Sequence, residues 1–124
     1  MVKFLVIRFK GEAEINLAAS VAERLDREVE DSEIHFLTSK NAATLLEHNP
    51  HIHRLYTDEN FGSSLKSLKG ESFDYLIDLQ NNLQSARVKL SLKRMDFTVK
   101  RQGREGKTDM KDRFMATIRL FVED

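Results

Sequence analysis

The chain has 124 residues, enough for one domain with a real core. Twenty basic residues balance twenty acidic ones, which excludes a general attraction to nucleic acid or anionic membrane and leaves any electrostatic site to be local. There is no cysteine, which excludes disulfides, thiolate metal sites and thiol nucleophiles.

The first apolar run, KFLVIRF over residues 3–9, reads as a strand buried on both faces. It is interrupted at Arg8 and is far too short for a signal peptide or a membrane span, so the chain reads as soluble and cytoplasmic. KGEAE follows at 10–14. Ile15, Leu17, Ala18, Val21, Ala22, Leu25 and Val29 then recur at helical spacing. EIHFLTS (33–39) predicts a second strand and NAATLLE (41–47) a short helix, stopped by Pro50. HRLYT (53–57) predicts a third strand. The helix after it, FGSSLKSLK, has Asn60 as its expected cap and Gly70 as its expected glycine stop.

FDYLIDLQ (73–80) is the clearest strand, followed by a helix over 82–93 and a fifth strand, DFTVK (96–100). RQGREGK (101–107) reads as a loop. Thr108 or Asp109 is the expected cap of a last helix running to about Val122, with Met110, Phe114, Ile118 and Phe121 on one face. Strands alternating with helices five times predict an α/β Rossmann-like sandwich: five parallel strands, order 3-2-1-4-5, with helices on both faces. A ligand then belongs beyond the carboxyl ends of strands 1 and 4, near residues 10–14 and 78–82.

Three groups of residues there can carry chemistry. Glu12 and Glu14 complement the positive end of a helix, and either could also serve as a general base toward a hydroxyl. Asp78 interrupts an apolar strand and needs partners. It can brace the neighbouring loop, or face the crevice with Gln80, Asn81 and Asn82 to hold a polyhydroxylated ligand. Arg87, Lys89, Lys93 and Arg94 form a basic helix face, either solvated or anion-binding. His48, His51 and His53 straddle a proline turn and a strand, where side chains alternate between faces. They read as surface residues, and no metal is assigned. Phosphate-loop and dinucleotide motifs are absent from the sequence, and no cofactor is assigned.

FLVIRF, EIHFLTSKNAATLLEHNPHIHRLY and FDYLIDLQNNLQSARVKLSLK, with the closing KDRFMATIRLF, resemble the N-terminal domain of the bacterial heptosyltransferases. These are the ADP-heptose:lipopolysaccharide transferases of glycosyltransferase family nine. The resemblance implies a GT-B enzyme whose N-terminal half takes the lipopolysaccharide inner-core acceptor and whose C-terminal half binds the ADP-sugar. It implies transfer with inversion and without a required metal. The family's general base falls on Glu14, and acceptor contacts fall on Lys10, Asp78, Gln80, Asn81 and Asn82, with Arg87, Lys89 and Lys93 toward acceptor phosphate.

The chain departs from that pattern in the turn. The family's glycine falls on Ala13, its aspartate on Glu14, and Lys10 stands where small hydroxyls belong. With the donor half missing, the expectation is one Rossmann-like domain over 1–124, inactive alone. A turn rewritten as a helix cap and a shortened last loop are changes an engineered domain would carry. Two rivals remain: a designed, ligand-free Rossmann-like domain, and a flavodoxin-like or response-regulator-like binding module.

Overall fold

The computed structural model describes residues 1–101 and 109–123. Five parallel strands form one sheet: β1 (Val2–Ile7), β2 (Ser32–Thr38), β3 (Arg54–Thr57), β4 (Tyr75–Asp78) and β5 (Met95–Thr98), in the order β3-β2-β1-β4-β5. The helices are α1 (Glu12–Glu28), α2 (Lys40–Ala43), α3 (Phe61–Lys69), α4 (Leu83–Leu92) and α5 (Met110–Thr117). Both the fold class and the strand order are those expected from the alternating pattern.

The two faces of the sheet carry separate cores, because successive strand residues point to opposite sides. Phe4, Val6, Ile34, Phe36 and Ile77 pack under α1 and α5, with Ile15, Ala18, Leu25, Phe114 and Ile118. Leu5, Ile7, Leu37 and Leu76 pack under α3 and α4, with Leu68, Val88 and Leu92. Each central strand therefore buries nearly every position, which is why FLVI reads as an unbroken apolar run and IHFL is broken only by His35, itself bonded to Tyr56 and Glu33. None of the described helices is long and apolar enough to cross a membrane.

Two helices end earlier than periodicity predicts. After Ala43 the chain tightens into three-residue turns, with Leu45 N donating to Ala42 O and Leu46 N to Ala43 O, so the helix expected over 41–47 is only four residues long. After Thr117 the same tightening carries Phe121 onto the rings of Phe4, Tyr75 and Phe97, at centroid distances of 4.8–5.0 Å. The expected apolar face over Met110, Phe114, Ile118 and Phe121 does pack into that core, although its last two members lie beyond the helix.

Two expected end signals stand where expected but differ in geometry. Asn60 adopts left-handed backbone (φ 54°) with no side-chain cap bond, and Gly70 keeps an ordinary φ of −74°. Asp109 caps α5 through Lys111 N, while Thr108 and all but Arg101 of the expected 101–107 loop lie outside the described residues.

The sheet's amino edge and flank are tied by charge. Lys3 bonds Glu71, Arg24 bonds Glu28, and Glu33 bonds the buried His35. Those hydrogen bonds hold all three glutamates below the usual carboxylate range. A carboxyl depressed in the fold contributes stability that is complete above its unfolded value, about 4.5, and is lost as pH falls through its folded value. Thermal midpoints are therefore expected to hold near neutrality and fall progressively below about pH 4.5. Glu71→Gln should flatten part of that slope, and a parallel curve for the variant would contradict this assignment.

Candidate functional site at the carboxyl edge

The carboxyl ends of β1 and β4 face each other in register, Ile7 beside Asp78 and Asp78 beside Thr98. Arg8 follows β1 and reaches across, its Nε donating to Lys10 O at 2.9 Å and its Nη1 to Leu79 O at 3.1 Å. Its guanidinium lies over the Phe114 ring at 5.9 Å. Burial pulls its pKa below the usual value and Arg113 adds to this, while the negative Glu14 and Asp78 oppose it. Sequence reading missed Arg8, although a lone cation in an apolar strand was the visible signal.

Gln80, Asn81 and Asn82 are each half committed to the scaffold. Gln80 Oε1 accepts from Phe9 N at 2.9 Å, and Asn81 Nδ2 donates to Val99 O at 3.0 Å. Asn82 caps α4, its Oδ1 accepting from Ser85 N while Ser85 Oγ accepts from Asn82 N. Asp78 is fully buried, and its Oδ1 accepts from the backbone N–H groups of Gln80 and Asn81 at 2.9 and 2.8 Å. Its Oδ2 stands 3.0 Å from Lys89 Nζ, an ionic contact not aligned as a hydrogen bond. Of the two roles open to Asp78, the structure gives it the bracing one, directed at its own loop rather than at β1. The free ends of the amides, Gln80 Nε2, Asn81 Oδ1 and Asn82 Nδ2, bond to none of the described residues.

These bonds close the seam between β1 and β4 where a ligand was expected. Open space lies to either side. A cleft of about 280 Å³ separates the β1–α1 turn from the β2–α2 turn, lined by Lys10, Gly11, Glu12, Ser39 and Asn41. A groove of about 690 Å³ runs between β5 and α5, lined by Thr98, Lys100, Arg101, Arg113 and Arg119. Ser39, Asn41 and the cations of the second groove were not singled out in the sequence. Only the fold brings α5 beside β5.

The β1–α1 turn is built on Gly11, at φ +90°, a conformation that side-chain-bearing residues rarely adopt. The half-buried Glu14 folds back over it: a Cβ placed on Gly11 would stand 2.0 Å from Glu14 Oε2. Ala13 lies inside α1, where alanine is favoured, so the turn's left-handed residue sits two positions earlier than the resemblance places it. Acids at the head of α1 make this turn a poor phosphate cradle but leave a carboxylate at the crevice rim.

The basic residues of α4 separate. Lys89 turns inward to Asp78 and to Thr98 Oγ1 at 2.9 Å. Arg87 is exposed over the Phe61 ring at 5.7 Å. Lys93 caps the far end of α4, about 15 Å along the helix from the crevice at 1.5 Å per residue. Lys93 thus stands apart from Asn82, while Arg87 sits by the head of α3. His51 bonds Asp26 at 2.9 Å and His53 accepts from Ile34 N, tying the turn before β3 to α1. Among the described residues no three potential ligands converge for a metal.

No family model and no curated protein matches the sequence. Among solved structures, the chain is similar to a family 9 glycosyltransferase from Veillonella parvula, with a TM-score of 0.77 at 16% identity over 99% of this chain. The fold is similar to that of part of this glycosyltransferase. It is also similar to E. coli heptosyltransferase WaaC with ADP (TM-score 0.65, 10% identity, 95% of this chain). E. coli ADP-heptose lipopolysaccharide heptosyltransferase II is similar over 76% of this chain, with a TM-score of 0.61 at 17% identity. The chain spans 42%, 47% and 29% of those three proteins, less than half of each.

Proposed function

We propose that the chain supplies the acceptor-side domain of a lipopolysaccharide-core heptosyltransferase, working in the cytosol with a donor-binding domain that holds ADP-heptose. The observation that carries this reading is the Glu14 carboxylate at the carboxyl edge of β1, in a domain with a heptosyltransferase fold. In this reading Glu14 takes the proton of an acceptor hydroxyl as that oxygen bonds to the heptose carbon and ADP departs. Lys10 and the free amide ends of Gln80, Asn81 and Asn82 hold the acceptor's hydroxyls, while Asp78 and Lys89 hold the loop that presents them. Acceptor phosphate goes to Lys100, Arg101 and Arg113 in the β5–α5 groove, rather than to Arg87 and Lys93.

One domain carries one side of a two-substrate cleft, so the 124-residue chain is expected to transfer no heptose by itself. An NMR titration with a phosphorylated inner-core fragment should shift amides at 10–14, 80–82 and 98–101. Silence at all of these would leave the ligand-free domain as the better reading. Heptose transfer by the isolated chain at a full enzyme's rate would refute the division of labour.

A further inference from the structure

The neutral balance of the sequence conceals a strong segregation of charge. The two helices on one face of the sheet, with the residues that end them (61–70 and 83–95), contain Lys66, Lys69, Arg87, Lys89, Lys93 and Arg94 and no acid. On the opposite face α1 carries five acids and two cations. Lys89 is spent on Asp78 and Asp96, but the other five cations have no carboxylate within 4.0 Å among the described residues. Of the acids bordering this face, Glu71 is engaged by Lys3 and Arg54 and Glu59 by Lys40, while Asp58 accepts from Gln84 of α4 with no cation beside it.

The same face holds apolar side chains that folding does not use. Helix α4 is apolar on both sides: Val88 and Leu92 enter the core, while Leu83 and Leu90 point outward at 86% and 76% exposure. Seven residues apart, these two leucines lie on one stripe with Arg87 between them. Arg87 over Phe61 joins this stripe to α3, whose Lys66 and Lys69 extend the positive field.

We propose that the α3–α4 face docks on an anionic phospholipid surface, cations pairing with headgroups and Leu83 and Leu90 entering the boundary below them. Charge complementarity selects a negative partner. The outward leucines select a lipid boundary over nucleic acid, where they would meet only water and phosphate. The surface shares no residue with the acceptor reading, although Leu83 adjoins Asn82 at the crevice end of α4.

Vesicle co-flotation of the full chain tests this. It should bind phosphatidylcholine vesicles containing about one-third phosphatidylglycerol and not pure phosphatidylcholine. Reversing three cations (Arg87→Glu, Lys93→Glu, Arg94→Glu) should weaken partitioning by about a hundredfold. Leu83→Ser with Leu90→Ser should weaken it by about tenfold at unchanged charge. All these positions are exposed, and far-UV circular dichroism checks that each variant folds. Equal binding to both vesicle types, or to neither, overturns the proposal. So does a leucine variant that binds like its parent while the parent holds an RNA duplex as tightly as vesicles, which would mark a plain polyanion patch.

Discussion

Replacing Asp78 with alanine should lower stability by about 3–5 kcal/mol, seen as a reduced urea midpoint with an unchanged slope. The substitution removes the acceptor for two backbone N–H groups and leaves Lys89 facing a vacated, low-dielectric site. Lys89→Met should also be costly, because it leaves a fully buried carboxylate without its cation. Asp78→Asn in the Lys89→Met background keeps an oxygen for the backbone and buries no charge, so the double variant should be more stable than Lys89→Met alone. A strictly additive cycle would mean that the two side chains are not coupled. An Asp78→Ala cost below about 1 kcal/mol would mean that the loop after β4 is not held by this carboxylate.

Phe4→Ala is expected to cost about 3–5 kcal/mol, for a different reason. Phe4 is fully buried at the centre of the sheet and meets Tyr75 at 5.6 Å and Phe121 at 5.0 Å between ring centroids. Removing it opens a cavity and takes away the ring against which the closing turns settle. The hydrogen bond from Glu123 N to the Glu28 carboxylate carries this segment back to α1, so amide exchange near 118–123 should quicken along with the global loss. Leu90→Ala serves as the control: its side chain is 76% exposed, and its effect should stay within about 0.5 kcal/mol. A Phe4→Ala cost near that of the control would contradict the packing described.

The central strands were readable because FLVI is apolar at every position, which only a strand covered on both faces requires, and YLID departs from that only at Asp78. Helix ends were less readable. Whether NAATLLE continues past Ala43 depends on carbonyls tightening into three-residue turns, and periodicity carries no sign of that choice. Asn60 and Gly70 have the composition of end signals but not the geometry, since the neighbouring backbone already satisfies those termini. At the crevice the sequence located the residues but not their partners. Gln80 is spent partly on Phe9 and Asn81 on Val99, contacts that join segments 71 and 18 residues apart. The charge segregation was hidden for the same reason, because it requires knowing which helices share a face.

The fold of Glu14 over Gly11 ties two positions into one evolutionary unit. A serine or alanine at 11 must both adopt φ near +90° and displace the carboxylate, whose Oε2 would lie 2.0 Å from the new Cβ. Aspartate at 14, tried first, draws the carboxylate back from the space over Gly11. Any route toward a hydroxyl-rich turn is therefore directional: position 14 has to change before position 11 can, and the reverse order passes through a strained intermediate.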